Sequence, residues 1–121
     1  MNKEQYRRGI EIDAEIARLE REITKLEQEK RELVVPKIKE AIPDFPVRVR
    51  TALQYVLVLN ILQLETFLAG NYESRDNYFR KAYKNAKTPK ERLKLLRNVG
   101  EINAAEAVEM FENYKKENGL V

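Results

Sequence analysis

The chain has 121 residues with no Cys and no His; 36% of it is charged, with a formal net charge of +3. That length suits one domain with a sizeable core. The composition excludes disulfides, thiolate nucleophiles, Cys or His metal sites and the commonest general acid–base. Glu far outweighs Asp, Lys and Arg are both abundant and Trp is absent, a bias shared with hyperthermophilic proteins. The opening MNKEQYRRGIEID has no apolar stretch of signal-peptide length. A cytoplasmic protein with no membrane partner is therefore expected.

Residues 3–34 carry a helical repeat. Ile12, Ile16, Leu19, Ile23, Leu26 and Leu33 recur at spacings of three and four, with Lys30 filling one position of the stripe. This is the pattern of a coiled-coil seam or of a long helix packed on one face, and the stripe is a candidate contact for a partner helix. Glu15, Glu22 and Glu29 flank it on one side, and Glu20 and Glu27 on the other. In a self-paired zipper, parallel or antiparallel, Glu would face Glu, so the seam suits a different, basic or apolar helix, in this chain or in a partner. The outer face, with Arg18, Arg21, Lys25 and Arg31, supports the helix through pairs such as Arg18–Glu22 and Glu27–Arg31.

Pro36 interrupts the pattern. PKIKEAI over 36–42 can form a short helix with Pro36 in its first turn. Pro43-Asp44-Phe45-Pro46 ends it and reverses the chain, with Phe45 placed to plug the turn. That reversal would let the next helix fold back along the first.

The stretch from Val47 to Ala69 is predicted as one buried central helix. Its core, ALQYVLVLNILQLETFLA over 52–69, is apolar around most of a helical circumference, with Arg50, Gln54 and Glu65 near one line. About 20 residues without Gly or Pro are too many for an ordinary strand. Gln54, Asn60, Gln63 and Glu65 interrupt it too often for a membrane span. Asn60 and Gln63 lie off the polar line and are expected to be buried amides that fix helix register.

Gly70-Asn71 ends this helix as a left-handed cap. The next is predicted over about 74–87, capped by Ser74, with Tyr72, Phe79, Tyr83 and Ala86 on one aromatic-rich core face. Thr88-Pro89-Lys90-Glu91 starts another, with Leu93, Leu96 and Val99 inward and Gly100 at its end. Asn103-Ala104-Ala105-Glu106 reads as the start of the last, with Ile102 and Ala107 as its staple and Asn118-Gly119 as its stop. The expected fold is an all-α antiparallel bundle in a single domain. It comprises a long amphipathic helix over 1–35, a Pro-rich kink over 36–46, and a compact core over 47–121 built of the buried central helix and three shorter helices.

Residues 70–114 faintly resemble a tetratricopeptide repeat. GNYESRDNYFRKA shares that family's Gly-x-Tyr opening and Phe-then-Ala spacing, and the stretch Leu96–Ile102 is similar to the start of a following repeat. Arg75 stands where a small Ala is expected, the second unit lacks its inter-helix turn, and no 34-residue period runs through the chain. The likeness is read as convergence on helical-hairpin packing. Membership would imply peptide or protein binding.

Charge is unevenly placed. Arg75 to Arg97 holds nine Lys and Arg against Asp76 and Glu91, a net of +7, while 101–117 carries five Glu and two Lys, a net of −3. Arg80, Lys81, Lys84, Lys87, Lys90, Lys94 and Arg97 are candidate contacts for phosphates or an acidic partner. The blander reading is a solvated face that complements the acidic helices. Helix-turn-helix recognition through 93–114 is disfavoured, because Glu106, Glu109 and Glu112 on the second helix would repel DNA. No catalytic constellation is present: every Gly stands alone, Ser74 is the only serine, and the Glu-x-x-His of di-iron bundles cannot be written. No cofactor or metal is expected. The leading expectation is a non-enzymatic helical interaction protein, a small subunit, adaptor or assembly factor with a protein partner. The alternative is a nucleic-acid-associated protein, such as a small viral or mobile-element regulator. A homodimer through the central helix is a further open arrangement.

Overall fold

The computed structural model describes residues 1–121 and is all-α, with seven helices. It divides into two units, residues 1–34 and 35–121.

The first unit is α1 (Lys3–Glu32), a single helix of 30 residues. At 1.5 Å rise per residue it is about 45 Å long. Asn2 opens it with a capping box: its side chain accepts from the Gln5 amide at 2.8 Å, and the Gln5 side chain accepts from the Asn2 amide at 3.0 Å. Four Arg–Glu pairs at three- and four-residue spacing run along its surface. No residue of α1 is buried.

The second unit holds the core. Its helices are α2 (Ile38–Ala41), α3 (Val47–Tyr55), α4 (Ile61–Leu68), α5 (Asn77–Asn85), α6 (Pro89–Lys94) and α7 (Glu101–Glu117). Val49 and Leu53 of α3, Leu64 and Phe67 of α4, Leu93 of α6, and Ala104, Ala107 and Phe111 of α7 meet in one buried cluster. The small Ala104 and Ala107 keep α7 close to its neighbours, and Glu65 of α4 pairs with Lys115 of α7 at 3.1 Å. Phe45 is 2% exposed and fills the chain reversal, as its place between the two prolines predicts.

The single central helix is corrected: the stretch is two helices, α3 and α4, with a turn between them. α3 ends in a Schellman motif, in which the Val58 amide reaches the Leu53 carbonyl at 2.9 Å and the Leu57 amide reaches that of Gln54 at 3.1 Å. Leu57 takes the left-handed position of this motif, φ +61°. Val58 and Leu53, the pair that packs across such a motif, are both buried. α4 then starts at a capping box. Asn60 accepts from the Gln63 amide at 2.9 Å, and the Gln63 side chain accepts from the amides of Leu59 at 2.7 Å and Asn60 at 3.2 Å. These two residues are helix-start groups near the surface, so the buried-register reading of them is also corrected. The enclosure expected for the stretch fails with it, since Val47, Tyr55, Leu57, Leu59 and Leu62 are exposed.

Three boundaries shift for the same local reasons. Asp76, not Ser74, caps α5, accepting from the Tyr78 and Phe79 amides, while the Ser74 hydroxyl accepts from the Asp76 amide. α6 stops at Lys94, and Leu96 and Val99 reach the core from the turns that follow. α7 begins at Glu101 rather than near Asn103, and Ile102 is exposed and staples nothing. The Thr88 cap, Pro89 at the first helical position, the left-handed Gly70 and the Gly119 stop all stand where the sequence places them.

Candidate interaction surfaces

α1 presents the first surface. Ile12, Ile16, Leu19, Ile23, Leu26 and Leu33 are 43%, 46%, 43%, 55%, 57% and 61% exposed. The first five lie on the helix and Leu33 is its C-terminal cap. Of the flanking carboxylates, Glu15 and Glu22 share Arg18, and Glu27 pairs with Arg31 at 4.0 Å. These pairs are exposed and contribute little to stability.

The basic segment does not act as one unit. Lys90 and Lys94 both reach the Glu101 carboxylate at 2.6 Å, closing the start of α7 onto α6. Hydrogen bonding and charge from these two lysines hold the Glu101 carboxyl down at about 2, and the same carboxylate raises the Lys90 ammonium. Arg80 donates to the Ser74 carbonyl at 3.0 Å. With Arg75, Lys84, Tyr72 and Tyr83 it lines an open depression of about 840 Å³. Lys81 and Lys87 are exposed on the same stretch. Arg97 lies elsewhere, with Arg48, on an open groove of about 1040 Å³ floored by Ala52, Val56, Phe79 and Leu96.

Arg92, a member of the same basic run, turns inward. Its guanidinium donates to the Leu68 carbonyl at the end of α4 at 2.6 Å and lies 3.4 Å from that of Ala86 at the end of α5. Its Nε–H is buried without a partner. A Cβ on Gly70 would come within 3.0 Å of it, so the left-handed turn after α4 also keeps this cation close. A cation at two helix C-termini meets the negative ends of both dipoles.

The aromatic face acts in a related way. The Tyr83 hydroxyl donates to the Phe67 carbonyl and accepts from the Tyr72 amide at 3.2 Å, and the Tyr72 hydroxyl donates to the Val56 carbonyl at 3.0 Å. Burial raises the Tyr83 phenol above its ordinary range. Sequence reasoning placed these rings in the core but missed their hydroxyls as caps, and it missed the inward turn of Arg92. Nothing local marks one arginine among nine basic residues.

No group of three or more Asp and Glu side chains converges to hold a metal ion. No helix is long and apolar enough to cross a membrane. No protein family, curated protein or solved structure matches this chain.

Proposed function

We propose that this chain is a non-enzymatic helical interaction protein, a small subunit, adaptor or assembly factor that binds another protein through the seam of α1. One observation carries the reading: a helix of 30 residues buries none of them while holding a continuous Ile and Leu stripe. An apolar stripe of this length is retained in a sequence when something covers it. The residue supply supports the same reading, since Cys and His are absent and Ser74 stands alone.

The test compares the tagged chain with an Ile16→Asp, Ile23→Asp variant in capture experiments at native salt. A protein retained by the natural chain and lost by the variant is the expected outcome. Retention of none, or equal retention by both, would sink the reading. Circular dichroism checks that the variant keeps its helix.

A second reading, binding to nucleic acid phosphates, is favoured by one feature: Lys81, Lys84, Lys87 and Arg97 have no carboxylate partner. Anisotropy of labelled single- and double-stranded oligonucleotides decides it. About four phosphate contacts on duplex give a log–log salt slope near −3.6. Glu101→Gln, which frees Lys90 and Lys94, should then tighten binding. A flat salt response rejects this reading.

A further inference from the structure

The residues of the α1 seam and its flanks specify a partner more narrowly than an apolar stripe alone would. Counting heptads from the spacing, Ile16 and Ile23 fall at the first seam position, and Leu19, Leu26 and Leu33 at the second, with Ile12 also at the second. A β-branched residue at the first and Leu at the second favour two parallel strands over three or four. Lys30 occupies a first position, beside the last heptad. A single charged residue inside such a seam fixes register and partner.

The flanks decide against a second copy. The positions beside the seam hold Asp13, Glu15, Glu20, Glu22, Glu27 and Glu29 against one cation, Arg8. In a parallel self-pair Glu15 would meet Glu20 of the other strand and Glu22 would meet Glu27, while Lys30 would meet Lys30. Arg18 and Arg31 lie outside the flanks and temper these carboxylates without supplying the opposite sign across the seam.

We propose, resting on the interaction reading above, that α1 is one strand of a parallel two-stranded coiled coil whose other strand is a basic-edged helix of another protein. That helix carries Ile or Val and Leu along its seam, Lys or Arg on both flanks, and an acidic residue opposite Lys30. Charge complementarity selects the occupant, and Lys30 sets its register.

The test uses synthetic four-heptad helices and the full chain. The first probe has Ile and Leu seams, Lys on both flanks and Glu opposite Lys30. The second has Glu on both flanks. The third keeps the Lys flanks but places Lys opposite Lys30. Sedimentation should give a one-to-one complex with the first probe, and energy transfer between end labels should place the two N-termini together. The Glu-flanked probe should bind about 30-fold more weakly or worse. The third should lose about tenfold, recovered by Lys30→Glu in the chain. Equal binding of Lys- and Glu-flanked probes, antiparallel alignment, or indifference to the Lys30 exchange overturns this proposal and leaves the seam as a docking face. Failure of all three probes to bind overturns it together with the seam reading.

Discussion

Leu57 holds a left-handed backbone conformation, φ +61°, and the residue is 75% exposed. The Cβ clash of that conformation costs an L-residue about 1–2 kcal/mol, and an exposed side chain recovers little of it. Leu57→Gly is therefore expected to stabilise the fold by about 0.5–1 kcal/mol, after the greater freedom of Gly in the unfolded chain is deducted. Leu57→Ala, which keeps the Cβ, should recover almost none of it. Urea unfolding midpoints check both. Loss of stability in the Gly variant would mean that the Leu57 side chain supports the turn. Glu101 offers a second residue-scale outcome. Its carboxyl is held at about 2 in the folded chain against an ordinary 4.5. A depressed acid contributes stability that is present above the unfolded value and is lost as pH falls through the folded one. The natural chain should therefore lose part of its stability between about pH 4.5 and 2 through this group. In Glu101→Gln that part of the acid limb should vanish. Because the cluster is exposed, high salt should shrink the difference. Thermal melts at stepped pH, with and without salt, read it directly.

Between elements, helix ends organise this core more than helix lengths do. α3, α4 and α7 each close with paired hydrogen bonds around one left-handed residue: Leu57, Gly70 and Gly119. The two Gly ends are legible in the sequence, because Gly is the residue such a position favours. The Leu57 end is not, because a Leu in a run of Val and Leu carries no mark of a turn. Asn60-Ile61-Leu62-Gln63 illustrates the converse. The Asn-x-x-Gln spacing of its capping box is written in the chain as plainly as that of Asn2 and Gln5, but apolar neighbours on both sides make the stretch read as continuous helix. The competing local signal wins in the structure: α4 starts with two reciprocal hydrogen bonds, and α3 closes with two more from the Leu57 and Val58 amides. Asn60→Ala should cost about 1 kcal/mol. If the cap rather than the apolar run sets this boundary, Asn60→Asp should retain most of the stability, since Asp caps as well as Asn. Equal losses in both variants, by urea unfolding, would assign the boundary to packing instead. The basic segment teaches a related limit. Its charge count was readable, but the division among Arg92 facing two helix ends, Lys90 and Lys94 on Glu101, and Lys81, Lys84 and Lys87 in solvent depends on contacts far apart in the chain.

Across the whole molecule, the seam of α1 raises the question of what keeps copies of the chain apart. Ile12, Ile16, Leu19, Ile23 and Leu26 expose an apolar stripe on a helix that buries nothing. Such a stripe drives helices together unless an opposing term intervenes. The term available is charge: carboxylates line both flanks, so Glu faces Glu in a parallel pair and again in an antiparallel one. In the parallel pair Glu15, Glu20, Glu22 and Glu27 face like charges, and these contacts outnumber the one favourable match of Arg8 with Asp13. Lys30 adds a second barrier by placing two ammonium groups inside a parallel seam. The natural chain is therefore expected to sediment as a monomer at neutral pH and moderate salt. Replacing Glu15, Glu20, Glu22 and Glu27 by Gln removes the Glu–Glu contacts of a parallel pair, and Lys30→Ile removes the second barrier, while every Ile and Leu of the seam is left unchanged. That variant should sediment as a dimer at concentrations where the natural chain does not, and its α1 should melt at a temperature that rises with concentration. Adding Ile16→Asp and Ile23→Asp to the same variant should restore the monomer, which ties the association to the seam and not to the exposed Tyr55 and Leu57. A variant that stays monomeric would show that the flanking carboxylates are not what holds the copies apart, and the choice of a basic-edged partner would lose its physical basis.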